Sequence, residues 1–227
     1  MNISIIIPTL NEEKTLGRLL CTLKAYAGLE LLVADGGSDD RTLEIAQYYG
    51  AKTVSSGPGR GRQQNRGAEA ATGDILLFLH SDTLLPAEFS GYIYSLLSLP
   101  GTAGGAFRLK IDAPGAGYRV IEWGANLRSS LFQLIYGDQA IFVSRKLFFQ
   151  AGGFPDQAIL EDVELVRRLN KFGKIRLAPA VATTSARRWL KLGLVRTTLL
   201  NQMMLAGYLL NVDPEKLNHL YYKKYNR

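Results

Sequence analysis

The first hundred residues alternate two kinds of pattern, and that alternation constrains the fold more than any other feature. Stretches of strand length lie at 3–7, an apolar β-branched run, and at 29–34, 51–55 and 75–79. Between them, 12–26, 39–49 and 63–71 read as helices. The first carries apolar residues at 16, 19, 20 and 23, and the second has acids in its first turn. This βαβαβαβ order predicts a parallel, doubly wound sheet with right-handed crossovers. In such sheets ligands bind beyond the carboxyl ends of the strands. The loops at 8–12, 35–41, 56–62 and 80–84 are therefore expected to gather on one edge.

Beyond Pro100 the pattern loosens. Strands are expected at 103–111, 140–143 and 175–178, and helices at 115–131 and 163–171. The tail from Trp189 reads as helical in two pieces, broken near 211–214. With 47% apolar and 21% charged residues in 227, the chain can bury a real core as one domain with a C-terminal appendage. Its single cysteine, Cys21, excludes an intramolecular disulfide and points to a reducing compartment. Lying in a predicted amphipathic helix, Cys21 is expected to be a buried small hydrophobe. The N-terminus lacks a basic region, and Pro8 and Asn11 end its apolar run early, so it is not read as a signal peptide. No run reaches the roughly 18 apolar residues of a membrane span. The nearest, 189–212, contains Lys191, Arg196, Asn201 and Gln202. A soluble, cytoplasmic protein is expected, with peripheral membrane contact left open.

Charge is unevenly placed. The net value is +7, and Leu165 to Val212 holds nine Lys/Arg and no acid. Such a surface is either simply solvated or suited to a polyanionic ligand or an anionic membrane. Nucleic acid is not expected, because no binding motif accompanies the charge.

The four loops carry chemistry. Pro8, Thr9, Asn11 and Glu12 offer hydroxyl, amide and carboxylate groups at the end of the first strand. Asp35-Gly36-Gly37-Ser38-Asp39 enters a helix, which Ser38 or Asp39 can cap; capping does not explain Asp35 at the strand end. The stretch from Gly57 to Asn65 joins glycines, which let backbone approach a ligand, to Arg60 and Arg62, which are phosphate donors. It lacks the Gly-Lys-Ser/Thr ending of the nucleoside-triphosphatase loop. After 75–79 comes His80-Ser81-Asp82, where Asp82 is a hard oxygen ligand for Mg²⁺ or Mn²⁺ and His80 a second ligand or a hydrogen-bond donor. Zinc is disfavoured, since one cysteine and two histidines give no ligand spacing. Glu161-Asp162 opens a helix, and Arg187-Arg188-Trp189 sets cations beside a flat aromatic.

Together these segments resemble the family 2 glycosyltransferases, inverting enzymes of the GT-A fold. The likeness runs from residue 3 to about 190, through "SIIIPTLNEEKTL", "LLVADGGSDDRT", "NRGAEAATGDILLFLHSDT", "GGFPDQAILEDVELVRRL" and "SARRW". It implies an α/β, Rossmann-like, mostly parallel sheet flanked by helices, with a helical C-terminal tail. The division implied is 1–188, with a nucleotide-sugar half at 1–100 and an acceptor half at 101–188, followed by the appendage 189–227. Three departures stand out. Gly36 replaces an acid that would read a uracil-type base, His80 stands where the metal motif has its first Asp, and Gln64 replaces an Arg before Asn65. Arg60 or Arg62 is then left to supply the missing cation.

The resemblance further implies a nucleoside-diphosphate sugar as donor, an acceptor hydroxyl of unknown class, and Mg²⁺ or Mn²⁺ on Asp82. It makes Asp162 the base with Glu161 beside it, and gives Ser81, Gly105, Asp138 and Gln139 places at the substrates. It puts Arg188 and Trp189 at the diphosphate and leaves Arg187 on the basic surface. Two other readings stay open: a sugar-phosphate nucleotidylyltransferase, and a non-catalytic nucleotide-sugar or membrane-docking module.

Overall fold

Strand β1 (Ile3–Thr9) is buried at every position, with a core layer on each face and a parallel neighbour on each edge: β2 (Leu29–Asp35) and β4 (Ile75–Phe78). In the computed structural model, which describes residues 1–225, β3 (Lys52–Ser55) completes this half beside β2. The crossovers are α1 (Leu16–Leu23), α2 (Thr42–Tyr48) and α3 (Arg60–Ala70). Successive residues of β1 point to opposite faces. Ile3, Ile5 and Ile7 join one core layer with Leu16, Leu19 and Leu20. Ile6 joins the other with Leu32, Phe78 and Ala68. The parallel half is as the sequence predicts.

The second half is more mixed. The elements are β5 (Thr83–Leu84), α4 (Phe89–Leu97), β6 (Thr102–Asp112), α5 (Ala116–Phe132), a 3₁₀ turn at Gly137–Gln139, β7 (Phe142–Ser144), α6 (Arg145–Gln150), α7 (Glu161–Leu169) and β8 (Lys174–Ser185). The sheet order is β3-β2-β1-β4-β7-β6-β8-β5. β7 is antiparallel to β4 and β6, β5 is antiparallel to β8, and β6 and β8 run parallel. Elements β5, α4 and α6 are additions to the predicted set, and β8 runs well past the expected 175–178.

Cys21 is exposed, contrary to expectation. The inward stripe of α1 is Leu16, Leu19, Leu20 and Leu23, and Cys21 falls on the opposite side of that helix. The tail forms α8 (Arg187–Leu192), α9 (Leu194–Leu209) and α10 (Pro214–Tyr225). A break at Gly193 (φ 84°) separates the first two, and Asn211 (φ 57°) marks the expected break before Pro214. The boundary expected after residue 188 falls inside α8. Thr197, Leu200, Met204, Leu205 and Leu217 are buried, and the Tyr208 hydroxyl donates to Glu164 at 2.6 Å, so the tail packs on the body. Among the described residues no helix is long and apolar enough to cross a membrane.

Candidate active site

The carboxyl ends of β1 and β4, the first turns of α3 and α7, the 3₁₀ turn and the tail enclose one cleft of about 1070 Å³. The end of β1 supplies Pro8 and Thr9, with Glu12 just beyond. Glu12 is fixed by the Thr15 hydroxyl at 2.7 Å and by the Arg187 guanidinium at 2.8 Å to each oxygen. Burial works to raise its pKa, but Arg187 and Thr15 outweigh this and hold it below the usual carboxylate range. The same guanidinium reaches Asp82 Oδ2 at 2.9 Å. A cation therefore already bridges the two carboxylates. Arg187 is not left on an outer basic surface; it points into the cleft, while Arg188 also lines it.

His80 packs against Gly137, where a Cβ would lie 2.7 Å from Nε2. Burial, reinforced by the charges of Arg60, Arg188 and Arg187, pushes its pKa down to about 3. The imidazole is neutral across the physiological range. Gly137 also donates its N–H to Asp162 Oδ2 at 2.6 Å, while Oδ1 accepts from Val163 at 2.8 Å. Leu160, in the left-handed region at φ 60°, turns the chain so that Glu161 and Asp162 open α7 facing the cleft. Burial raises the pKa of both acids; that of Glu161, with the Asp162 charge beside it, reaches about 7. Burial likewise carries Asp138 up to about 6. Its Oδ1, the Tyr136 hydroxyl and Trp189 Nε1 are buried at this cleft without a protein partner. Buried polar atoms of this kind can bond a ligand or ordered water.

Arg60 and Arg62 belong to the first turn of α3 rather than to a loop. Arg62 pairs with Asp156 at 2.7 and 2.8 Å on the cleft rim. The close approach that Gly61 permits is to the Pro155 carbonyl, which a Cβ would meet at 2.6 Å.

Several expected site residues are not brought to the cleft. Both ends of the Asn65 amide bond the backbone of Phe154. Asn11 accepts from the N–H of Asp39, and Ser81 is buried within reach of Thr15. Gly105 lies under the Phe142 ring, and Gln139 bonds Ser129 and the Phe107 carbonyl. Asp35 is consumed by its own loop, accepting from Thr9, Gly37 and Ser38. Burial would raise its pKa, but the bonds from Ser38 and Gly37 prevail and lower it. Gly36 has a local reason to be glycine, since a Cβ there would press on Gln63 at 3.1 Å. Gln63 in turn donates to the carbonyls of Thr9 and Ala34, tying α3 across two strand ends. Sequence reading missed Gln63, Tyr136, Gly137 and the tail residues Asn201 and Met204 that line the cleft. No local motif marks them.

Among the described residues no group of three or more His, Cys, Asp or Glu could hold a metal by itself. The donors do suit a hard cation bound through one or two carboxylates plus ligand oxygens, as Mg²⁺ commonly is. Arg187 on Asp82 and Glu12 shows that the place attracts positive charge.

A curled sheet whose parallel half ends in a cation-holding carboxylate, and whose other half presents a buried acid pair, is the architecture of the GT-A fold. The chain belongs to glycosyl transferase family 2, whose sequence profile matches residues 4–153. It is 40% identical over 96 residues to glucosyl-3-phosphoglycerate synthase of Mycolicibacterium smegmatis, covering 37% of this chain and 32% of that one. Its matches thus span about a third of the length of such curated relatives. Among solved structures it is similar to glucosyl-3-phosphoglycerate synthase from Mycobacterium tuberculosis in complex with Mn²⁺, UDP and glucosyl-3-phosphoglycerate. That match has a TM-score of 0.62, 24% identity, and covers 89% of this chain and 78% of the other. It is also similar to the mannosyltransferase PcManGT from Pyrobaculum calidifontis in complex with GDP-Man and Mn²⁺. There the TM-score is 0.67 at 20% identity, covering 80% and 56%. These structural likenesses show the fold.

Proposed function

We propose that this chain transfers a sugar from a nucleoside-diphosphate sugar to an acceptor hydroxyl by single displacement with inversion. The observation that carries this reading is the convergence in one cleft of a cation-holding carboxylate, Asp82, and a separate buried acid, Asp162. Solved relatives that hold UDP or GDP-mannose with Mn²⁺ support the donor class.

Asp162 serves as the base. As the acceptor oxygen attacks the anomeric carbon, its proton passes to the Asp162 carboxylate, while the bond from that carbon to the diphosphate breaks. The raised pKa brings Asp162 nearer the acidity that favours proton transfer near neutral pH. The Gly137 N–H fixes its orientation. Arg188 faces the departing diphosphate, and Arg60 balances charge around Glu161 and Asp162. Asp82, with Glu12 beside it, would hold Mg²⁺ or Mn²⁺, which when bound neutralises charge on the leaving diphosphate. His80, neutral and packed on Gly137, lines the cleft without adding a charge. The protein is further read as cytoplasmic and peripheral to a membrane; the basic sequence from Leu165 to Val212 suggests the membrane contact, although Arg167 and Arg168 pair with Glu164 and Arg187 with Glu12 and Asp82.

Asp162→Asn tests the reaction. The substitution keeps size and the helix start but removes the proton acceptor, so turnover should fall roughly 10²–10⁴-fold with donor affinity unchanged. A residue that only favoured the α7 N-terminus would cost about 0.3–1 kcal/mol of stability and little rate. Wild-type turnover in the variant would remove Asp162 from the mechanism and move attention to Glu161.

A further inference from the structure

We infer that Tyr136, Asp138 and Asn218 form an acceptor subsite that selects a neutral, polyhydroxylated acceptor over an anionic one. This deepens the transferase reading above, on which it rests.

Among the described residues, five buried side-chain atoms lack a hydrogen-bond partner, and four of them belong to residues that line the cleft. These are the Tyr136 hydroxyl, Asp138 Oδ1, Asn218 Oδ1 and Trp189 Nε1. Buried polar atoms are normally paired, so their concentration in one cleft points to a ligand that completes them. Trp189 Nε1 can only donate, and its neighbour in the chain is Arg188, which suits it to a phosphate oxygen of the donor. Tyr136 and Asp138 flank Gly137, whose N–H donates to Asp162 at 2.6 Å. Both also feel the Asp162 charge. They therefore stand next to the point where the acceptor hydroxyl gives up its proton.

The turn that carries them is held from behind. Gln139 is fully buried, accepting from the Ser129 hydroxyl at 2.7 Å and donating to the Phe107 carbonyl at 3.0 Å. The Arg128 guanidinium lies 3.8 Å from the centre of the Tyr136 ring and donates to the Leu134 carbonyl. Such contacts fix the hydroxyl before a ligand arrives and lower the ordering cost of binding. Asn218 comes from the tail. Helix α10 lies close on α9 because Gly207 has no side chain; a Cβ there would meet Leu217 Cδ2 at 2.5 Å. Leu217 is buried, and the next residue, Asn218, reaches the cleft.

Hydrogen-bonding capacity selects the acceptor class. A carboxylate or amide oxygen only accepts, whereas the tyrosine hydroxyl donates and accepts. A phosphate or carboxylate on the acceptor offers no proton at neutral pH, so it would leave Asp138 and Asn218 unpaired. It would also meet the acids Asp138 and Asp162 on the body and Asp213 and Glu215 on the tail. Beyond Trp189 the tail presents no lysine or arginine to the cleft among the described residues. Arg187 is engaged by Glu12 and Asp82, and Arg62 by Asp156. Hydroxyls both donate and accept, so a sugar or other polyol satisfies all three groups while one further hydroxyl faces Asp162.

The test follows binding to the full chain by saturation-transfer NMR titration, with Mn²⁺ and UDP or GDP present. Methyl glucoside, methyl mannoside and methyl galactoside are the neutral probes. Glucose 6-phosphate and 3-phosphoglycerate are the anions, and glucosamine is the cation. At least one neutral glycoside should bind more tightly than every charged probe. Tyr136→Phe and Asn218→Ala should each weaken that glycoside by about 5–10-fold. Tyr136→Phe should nonetheless melt at or above the wild-type temperature, since it removes a buried hydroxyl that the free protein leaves unpaired. Tighter binding of an anionic probe or of glucosamine would overturn the neutral class. Unchanged glycoside affinity in both variants, or no binding of any glycoside, would overturn the subsite and leave the transferase reading standing. Failure of wild type to bind either nucleoside diphosphate, measured separately, would instead strike that reading itself.

Discussion

At the residue scale, Arg187 and Arg188 separate what sequence can and cannot reveal. Adjacent helical residues diverge by about 100° around the axis, so one motif can present two cations to different surroundings. Asp82, Glu161 and Asp162 were legible because acids at strand ends and helix starts of an α/β sheet are exposed to ligands. The pairing of Arg187 with Glu12 and Asp82 was not, because it depends on where β8 returns relative to β1 and β4. Asn65 misleads in the opposite way: its polarity looks like a ligand contact, yet it holds the Phe154 turn. The Arg187 bridge yields a prediction. Arg187→Ala leaves two mostly buried carboxylates without their shared cation. That should cost about 1–2 kcal/mol, a modest figure because the guanidinium is half exposed. Mn²⁺ should then raise the melting temperature of the variant more than that of wild type, since the ion no longer competes with Arg187. Equal Mn²⁺-induced shifts in the two proteins would show that Arg187 does not compete for the metal seat.

At the element scale, periodicity located the parallel half well because its central strands β1 and β4 are buried and rich in apolar residues, while the exposed edge strand β3 is short and polar. It missed α4, whose apolar residues are interrupted by Ser90 and Gly91, and β5, which is two residues long. It started α3 three residues late, because Arg60-Gly61-Arg62 has loop composition. The reason for glycine in that helix is packing. At Gly67 a Cβ would overlap Ile6 Cγ2 and touch Ala34, so the helix lies flush on β1 and β2. Gly91 in α4 has nothing within 4 Å of its would-be Cβ. The two glycines therefore predict opposite outcomes for one chemical change. Gly67→Ala should destabilise by about 1–3 kcal/mol through overpacking, offset in part by better helix propensity. Gly91→Ala should stabilise by about 0.4–1 kcal/mol. Paired denaturation curves decide it, and the same sign for both would refute the packing account of α3.

At the scale of the whole molecule, the cleft stores opposing titrations whose sum sets the pH dependence of folding. Burial raises Asp138 to about 6 and Glu161 to about 7, so the folded state keeps protons that the unfolded chain has released. Their contribution is full below the ordinary carboxylate range and is lost as pH rises toward 7. His80, pushed down to about 3, acts in the other direction: below 6.5 the unfolded chain takes a proton that the folded imidazole refuses. Glu164, held near 2 chiefly by its hydrogen bond from Arg167, adds stability that vanishes only in strong acid. Stability should therefore fall steeply below about pH 4, where His80 and Glu164 act together, and change slowly from there to neutrality, where His80 opposes the raised acids. Glu161→Gln isolates one limb of this balance. Removing an ionisable group that the fold prefers neutral gains nothing at pH 4.5, where Glu161 is already protonated in the folded state. By pH 7.5 wild type must bury a charge that the variant lacks, and the gain should reach roughly 1–3 kcal/mol, a shift of about 2–4 °C per kcal/mol in a chain of this size. Melting temperatures of both proteins across pH 4.5–8 measure the difference directly. A difference that stays constant with pH would mean that the Glu161 carboxyl ionises in the folded cleft as it does in water, and that its burial beside Asp162 does not hold its proton.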